Sequence, residues 1–158
     1  MLPRVNSSGM THIAFPDAQE GTVTVVLADD SDLYRRGMRR AIEADSRLAL
    51  VAEVSDGAAA LAAIREHQPD AALLDLQMPA LDGVEVGCRL QADPPARRTR
   101  LVLVSAFLAP EAIVRAIACG IHHQLEKTTP RRQICDLLAG APLTEPCVTR
   151  TSRAVSMA

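Results

Sequence analysis

The stretch AALLDLQMPALDG, residues 71–83, places a carboxylate at the end of a continuous apolar run. Residues 71–74 are all Ala or Leu, Asp75 follows after them, and Pro79 and Gly83 come within the next eight positions. A short apolar run bounded by such residues is typical of a strand buried on both faces of a parallel sheet. A strand that merely ends needs no acid there. The function of Asp75 therefore depends on which other side chains meet it.

The composition predicts one aliphatic α/β domain. The chain has 158 residues, 48% of them hydrophobic, but only 2% aromatic and no Trp. A core made of Ala, Leu, Val and Ile suits a parallel sheet covered by Ala-rich helices. The net charge of −2 favours no direct binding to nucleic acid. Because no apolar run approaches the ~20 residues of a membrane span, we expect a cytoplasmic protein.

Strand and helix patterns alternate along the chain. Strand patterns cover residues 22–28, 48–54, 70–76, 99–106 and, more weakly, 120–126; helix patterns cover 31–45, 57–67, 82–93, 110–119 and 129–139. Ser31 and Asp82 are the expected N-caps of the first and third helices, and Leu33, Met38 and Ile42 fall on the apolar face of the first. Five strand–helix units predict a parallel sheet with helices on both faces. We expect one domain over residues 22–140, a flexible N-terminal tail over 1–21, and a flexible tail or linker stub over 141–158.

The cysteines predict no metal or redox site. Cys88, Cys119, Cys135 and Cys147 show no C-x-x-C spacing. We expect reduced thiols rather than a zinc site or a redox pair.

Polar residues follow four of the predicted strands. They are Asp29 and Asp30, Asp75, Ser105 and Lys127. Because the carboxyl ends of parallel strands share one edge, these side chains are expected to meet. Three carboxylates ~5 Å apart repel by roughly 3 kcal/mol per pair at an effective dielectric constant near 20, so a cation is expected among them. Oxygen ligands favour Mg²⁺, and Mg²⁺ with a carboxylate and a lysine suits phosphoryl transfer.

Taken singly, the same residues have simpler interpretations. Asp29 and Asp30 could do no more than cap the first helix, Ser105 could be an ordinary hydroxyl at a strand end, and Lys127 could be a surface lysine. Their combination favours a functional site.

Four segments resemble the receiver domain of two-component response regulators, in the order and spacing of that family. They are VVLADDS (25–31), LLDLQMPALDG (73–83), LVLVSA (101–106) and LEKTTP (125–130). The resemblance implies a flavodoxin-like, doubly wound, five-stranded parallel sheet in the order 2-1-3-4-5 with five helices. The segments around residues 34–45 and 105–107 most resemble receivers that precede a C-terminal helix-turn-helix domain, which we do not expect within these residues.

The resemblance also implies a metal site. Asp30 would bind Mg²⁺ directly, Asp29 chiefly through water, and the backbone carbonyl of Gln77 would be a further ligand. Asp75 would complete the set.

By the same resemblance, Asp75 would be the phosphoacceptor for a sensor histidine kinase. Lys127 would pair with the phosphoryl group, and Ser105 would move to hydrogen-bond it. The only catalysis expected is the chain's own phosphorylation and dephosphorylation. A homodimer stays open.

The chain departs from the family in its last strand. Aligned on Lys127, the family has Gly and then Tyr or Phe, where this chain has His123 and Gln124. The absent ring is the one that reports phosphorylation to the far face of the domain. Our hypothesis is that the loop after Ser105 and the following helix move instead, with Phe107 as the adaptable ring.

Two other functions stay open. A phosphatase similar to the haloacid dehalogenases also uses an Asp nucleophile, Mg²⁺ and a lysine, but requires a second acid where this chain has Gln77. A receiver-shaped scaffold would act through protein contacts without phosphorylation.

The arginines of the first helix form either a solvated basic face or a docking surface for an acidic partner; they are Arg35, Arg36, Arg39 and Arg40.

Overall fold

The computed structural model describes residues 21–95 and 98–140, which contain one five-stranded sheet. The strands are β1 (Val23–Ala28), β2 (Leu48–Val54), β3 (Ala71–Asp75), β4 (Arg100–Ser105) and β5 (His123–Glu126). All neighbouring strands run parallel, in the order β2-β1-β3-β4-β5. The predicted topology is therefore confirmed. The predicted tails lie outside the described residues, apart from Gly21.

Five helices cover the two faces of the sheet. They are α1 (Asp32–Ala44), α2 (Gly57–His67), α3 (Gly83–Ala92), α4 (Pro110–Ala118) and α5 (Arg131–Leu138). The longest has 13 residues, and none of the helices in the described ranges has the length and hydropathy of a membrane span.

The central strand β3 is buried along its whole length. Its side chains alternate, with Ala71 and Leu73 facing the core beneath α1 and α5, and Ala72 and Leu74 facing the core beneath α2, α3 and α4. This two-sided burial explains why the strand reads as an unbroken apolar run. It also leaves Asp75 as the only ionisable side chain of the strand, at its carboxyl end.

The apolar face predicted for α1 is wrong at one position. Met38 and Ile42 are fully buried, but Leu33 is 83% exposed. Leu33 lies in the first turn of the helix, which projects beyond the core at the carboxyl edge of the sheet.

Two predicted N-caps begin helices at that edge. The Ser31 hydroxyl accepts a hydrogen bond from the Tyr34 amide at 3.3 Å and begins α1. Asp82 begins α3 with a capping box, because its carboxylate accepts from the Glu85 amide and the Glu85 side chain accepts from the Asp82 amide.

The expectation of reduced thiols is wrong for two cysteines. Cys88 of α3 and Cys119 at the end of α4 form a disulfide with a Cα–Cα distance of 4.6 Å. A Cβ on Gly87 would lie 2.6 Å from Ile121 Cδ1, so only glycine lets the turn after α4 pack this closely on α3. Because the two cysteines are 31 residues apart in sequence, local spacing could not reveal the pair. Cys135 is free and buried.

Candidate functional site

Three carboxylates meet at the carboxyl edge of the sheet. Asp29 and Asp30 follow β1, Asp75 ends β3, and these strands are neighbours, with Ala28 opposite Leu74. One oxygen of each carboxylate lies within 4.8 Å of the others. Asp29 is fully buried and Asp75 is 3% exposed, whereas Asp30 faces solvent. The site is thus a half-open acidic pocket.

Lys127 joins two of these acids. Its Nζ lies 2.9 Å from Asp29 Oδ2 and 3.2 Å from Asp75 Oδ2. The backbone amide of Lys127 donates to the Ser105 carbonyl at 2.8 Å, which fixes the lysine beside β4. Burial alone would lower the pKa of Lys127, but the hydrogen bond to Asp29 and the charge of Asp75 raise it. The lysine is therefore held as an ammonium ion.

Tyr34 forms the wall behind this lysine. The Lys127 Nζ lies 4.6 Å from the centroid of the Tyr34 ring, within the range of a cation–π contact. The Tyr34 hydroxyl is buried and has no hydrogen-bond partner among the described residues. Burial, and then the charge of Asp29, raise the pKa of Tyr34 to about 12. Sequence reasoning missed this residue, since only the rotation of α1 turns it towards the site.

Asp75 is unusually hard to ionise. Burial, the charge of Asp29 and the Asp30 carboxyl raise its pKa to about 7, against the opposing effect of Lys127. The pocket brings together three carboxyl groups, whereas Lys127 contributes one positive charge to two of them. Negative charge is therefore in excess when all three are ionised. The donor set of hard oxygens therefore fits a divalent cation such as Mg²⁺, which accepts few protein ligands and retains water.

The two remaining predicted residues border the pocket. The Gln77 amide donates to Asp75 Oδ1 at 3.3 Å, and its side chain is exposed. The Ser105 hydroxyl donates to the Phe107 carbonyl at 2.9 Å and accepts from the Phe107 amide at 3.3 Å. Ser105 is thus hydrogen-bonded within its own loop, and the Gln77 carbonyl stays a predicted metal ligand.

Gln124 ties β5 to α4. Its side chain is buried, and Nε2 donates to the Ile113 carbonyl at 3.3 Å and to the Ile121 carbonyl at 3.2 Å. A polar tether to α4 therefore occupies the position at which the family has an aromatic ring.

The basic face of α1 is partly neutralised by the domain itself. Glu53 of β2 accepts from Arg35 at 3.0 Å and from Arg39 at 3.3 Å. Arg35 also pairs with Asp32. Arg36 and Arg40 are exposed.

The fold and the site together define a class: a doubly wound α/β domain with an acidic pocket and a lysine at the carboxyl edge of its sheet. The family model of the response regulator receiver domain matches residues 25–139. The chain belongs to this family.

Individual relatives agree. The chain is 38% identical over 117 residues to the "Probable transcriptional regulatory protein NarL" of Mycobacterium tuberculosis, covering 73% of this chain and 53% of the relative. It is 30% identical over 115 residues to the response regulator protein VraR of Staphylococcus aureus, covering 73% and 54%. The chain thus spans about half the length of the curated relatives it matches. These relatives are regulators, which weighs against the phosphatase alternative.

Solved structures agree as well. The signal receiver domain of NarL from M. tuberculosis superimposes with a TM-score of 0.71 at 36% identity, covering 75% of this chain and 94% of that one. A LuxR-family response regulator from Aurantimonas sp. gives a TM-score of 0.72 at 25% identity, covering 87% and 99%. The resemblance to receivers that accompany a helix-turn-helix output domain is therefore confirmed.

Proposed function

We propose that the chain is a phosphorylation-switched signalling receiver that accepts a phosphoryl group on Asp75 from a sensor histidine kinase. One observation carries the proposal: a single lysine bridges Asp75 and Asp29 inside a pocket that holds a third acid, Asp30. A nucleophile, a cation-binding pair and a fixed ammonium are the groups that phosphoryl transfer needs.

The transfer forms one O–P bond, on Asp75, and breaks one P–N bond, on the donor histidine. An Asp75 carboxylate oxygen attacks the phosphorus of a phosphohistidine, the P–N bond breaks, and the imidazole leaves with the electron pair. Lys127 pairs with the Asp75 carboxylate before the transfer and with the phosphoryl oxygens after it. Hydrolysis reverses the change when water attacks the same phosphorus, which returns the Asp75 carboxylate and inorganic phosphate.

The acids supply the cation site in this proposal. Asp29, Asp30, Asp75 and the Gln77 carbonyl would hold Mg²⁺. When bound, Mg²⁺ neutralises negative charge on the acids and on the phosphoryl oxygens. The raised pKa of Asp75 supports this assignment. Asp75 must be ionised in order to attack, and a bound cation would favour the ionised form that its surroundings otherwise oppose.

Ser105 links the pocket to the surface in the proposed mechanism. To donate to a phosphoryl oxygen, its hydroxyl must leave the Phe107 carbonyl, and the loop over residues 106–109 then loses its hydrogen bond. This supports our hypothesis that this loop and α4 move together. Hydrogen exchange over residues 105–112, with and without a phosphoryl mimic, tests the hypothesis. Equal protection in both states would refute it.

The proposal is tested by incubation with acetyl phosphate and Mg²⁺, followed by intact mass measurement. We expect the gain of one phosphoryl group in the parent and none in Asp75→Asn. Asp82→Asn is the matched control, since Asn also caps helices and the residue follows the same strand. If the parent gains no adduct at any Mg²⁺ concentration, the scaffold alternative is correct instead. Turnover of a free phosphate ester would support the phosphatase.

Gln77 is proposed to influence the lifetime of the acyl phosphate. Its exposed side chain lies two residues beyond the acceptor, where an amide can orient or exclude the attacking water. A phosphoryl lifetime in Gln77→Ala equal to that of the parent would show that it has no such role.

The partners and the output are also proposals. The exposed Leu33 beside the acidic pocket, with Arg36 and Arg40 on the same helix, suits docking of an acidic kinase surface in the cytoplasm. Control of transcription, the role that the name of NarL gives it, would require a DNA-binding domain beyond the matched region.

A further inference from the structure

We infer that Cys88 and Cys119 form a reversible thiol–disulfide exchange site, on which low-molecular-weight thiols and disulfides act, and that the bond controls the freedom of α4. The exchange chemistry stands independently. Its effect on signalling rests on the proposed function.

The two sulfur atoms are brought together by packing as well as by the bond. The Cα–Cα distance of 4.6 Å lies within the range of about 4.4–6.8 Å over which two cysteines can be bridged. Beside the bond, a Cβ on Gly87 would lie 2.6 Å from Ile121 Cδ1, so Ile121 packs directly on the backbone of α3. This packing involves neither sulfur atom. The two thiols therefore stay adjacent after reduction, and the bond can form again without rearrangement of the fold.

The bond is open to attack from solvent. Cys88 and Cys119 are both only half-buried. Cys119 lines an open cleft of about 340 Å³, together with Gln91, Arg98 and His122. Thiol exchange requires a thiolate to reach a sulfur atom of the disulfide, and the cleft provides this approach. The guanidinium of Arg98 favours an anionic reagent there.

Cys135 is an internal reference within the same chain. It is free, and burial, followed by the charge of Asp45, raises its pKa to about 11. Because the thiolate is the reactive species, Cys135 is inert to exchange in the folded protein. Reactivity is thus confined to the paired cysteines among the described residues.

The exchange balances as two successive substitutions. A thiolate attacks one protein sulfur, the protein S–S bond breaks, and a mixed disulfide forms with release of one protein thiolate. A second thiolate attacks the mixed disulfide, releasing the small disulfide and the other protein thiolate. Two thiols are oxidised and the protein disulfide gains two electrons. A small disulfide reverses both steps.

Besides the apolar packing of its buried Ala116, α4 is held among the described residues by three specific links, of which the bond is the strongest. The other two are the ion pair between Arg115 and Asp82 at 3.5 Å and the hydrogen bond from Gln124 to the Ile113 carbonyl at 3.3 Å. An exposed ion pair and one hydrogen bond hold a helix weakly. Reduction therefore loosens the Cys119 end of α4 without separating it from α3, because Ile121 still packs on Gly87. In the proposed function α4 moves on phosphorylation, so the oxidised form has a damped response.

The exchange site is tested on the full chain carrying Cys147→Ser, equilibrated over a range of ratios of glutathione to glutathione disulfide. After acid quenching, denaturation and alkylation, intact mass counts the thiols. We expect three alkylated cysteines in reducing buffer and one, Cys135, in oxidising buffer, with both losses at Cys88 and Cys119. The parent should show the same change. Three thiols at every ratio, or one thiol at every ratio, would overturn the inference.

The control of α4 is tested by hydrogen exchange. In the reduced protein and in Cys88→Ser, amides of residues 113–121 should exchange at least about tenfold faster than in the oxidised protein, whereas α1 should not change. Beryllofluoride should then alter exchange in this segment more in the reduced form than in the oxidised form. Equal exchange in both redox forms would overturn the control of α4.

The two proposals fail separately. If neither redox form gains a phosphoryl group from acetyl phosphate, the proposed function fails, while the thiol count and the exchange rates of the untreated protein still decide the redox site. If both forms are phosphorylated but the thiol count never changes, only the redox inference fails.

Discussion

The ammonium of Lys127 lies over the ring of Tyr34, 4.6 Å from its centroid, while it also pairs with Asp29 and Asp75. The lysine is thus held from two sides, by charge in front and by an aromatic face behind. An α1 side chain thereby contributes to a site that is otherwise built from strand ends.

This contact predicts different effects for two substitutions of Tyr34. Tyr34→Phe keeps the ring and removes a buried hydroxyl without a partner among the described residues, so phosphorylation by acetyl phosphate should stay within about twofold of the parent. Tyr34→Leu loses a contact of roughly 0.5–2 kcal/mol, and the rate should fall about two- to thirtyfold. Rates are measured by intact mass against time. Equal rates in both variants would show that the ring does not position the lysine.

The raised pKa of Asp75 predicts a pH-dependent cost in stability. Because the pKa of about 7 in the folded protein exceeds the ~3.9 of an unfolded Asp, the folded state binds more protons between these values. The free energy of unfolding of the parent should therefore fall, relative to Asp75→Asn, as pH rises from about 4 to about 7. In EDTA the variant should be more stable at pH 8 by roughly 2–4 kcal/mol. Urea unfolding at several pH values measures this difference.

Excess Mg²⁺ should reduce that difference at pH 8, because binding to the folded parent stabilises it. If the stability difference between the parent and Asp75→Asn stays constant from pH 4 to pH 8 in EDTA, the raised pKa does not belong to Asp75.

Gln124 is predicted to restrain α4. Gln124→Met keeps the length of the side chain but leaves the Ile113 and Ile121 carbonyls without its amide, which should lower the free energy of unfolding by about 1–3 kcal/mol. Amides of α4 should exchange faster, while those of α2 should not. Gln124→Glu keeps the size but also removes the donor and places a carboxylate oxygen against the two carbonyls, so it should weaken α4 at least as much. An α4 that exchanges as in the parent would show that the amide is not a tether.

Gly57 is predicted to be essential for the loop that follows Asp75. Its amide donates to the Pro79 carbonyl at 3.1 Å, and a Cβ at this position would overlap the Leu81 carbonyl oxygen. Gly57→Ala should cost roughly 2–4 kcal/mol, more than the ~1 kcal/mol that alanine gains in helix propensity. Thermal unfolding measures the loss. Ala58→Gly, at an exposed neighbouring position, should cost only about 1 kcal/mol.

The Cys88–Cys119 bond is predicted to stabilise the fold. Closing a loop between cysteines 31 residues apart constrains the unfolded chain, so reduction should lower the free energy of unfolding by about 4 kcal/mol. The midpoint of thermal unfolding should fall by roughly 10 °C. Cys147→Ser should respond to reductant as the parent does, and Cys88→Ser should not respond.

The sheet could be predicted because each strand carries its own signal. β3 is buried on both faces, so the unbroken apolar run over residues 71–74, followed by Asp75, marks a central strand and its end. Parallel order then brings the strand-end acids together, as seen for Asp29 and Asp75. Local patterns therefore determine the elements and the acidic pocket.

Contacts that depend on how helices sit on the sheet could not be predicted. Tyr34 meets Lys127 only through the rotation of α1, and the same geometry leaves Leu33 in solvent. The pairing of Cys88 with Cys119 depends on the space left by Gly87. No periodicity in the sequence encodes these distances.

The Ser105 hydroxyl has one proton to donate, and the Phe107 carbonyl holds it. In the proposed function, a phosphoryl oxygen at Asp75 competes for that same proton, so the two acceptors exclude each other. Phe107 is 72% exposed, and its ring is displayed in the present arrangement of the loop. Each molecule would then either expose the Phe107 ring in this arrangement or carry a phosphoryl group on Asp75. A partner that binds the exposed ring would therefore bind the unphosphorylated receiver and release the phosphorylated one.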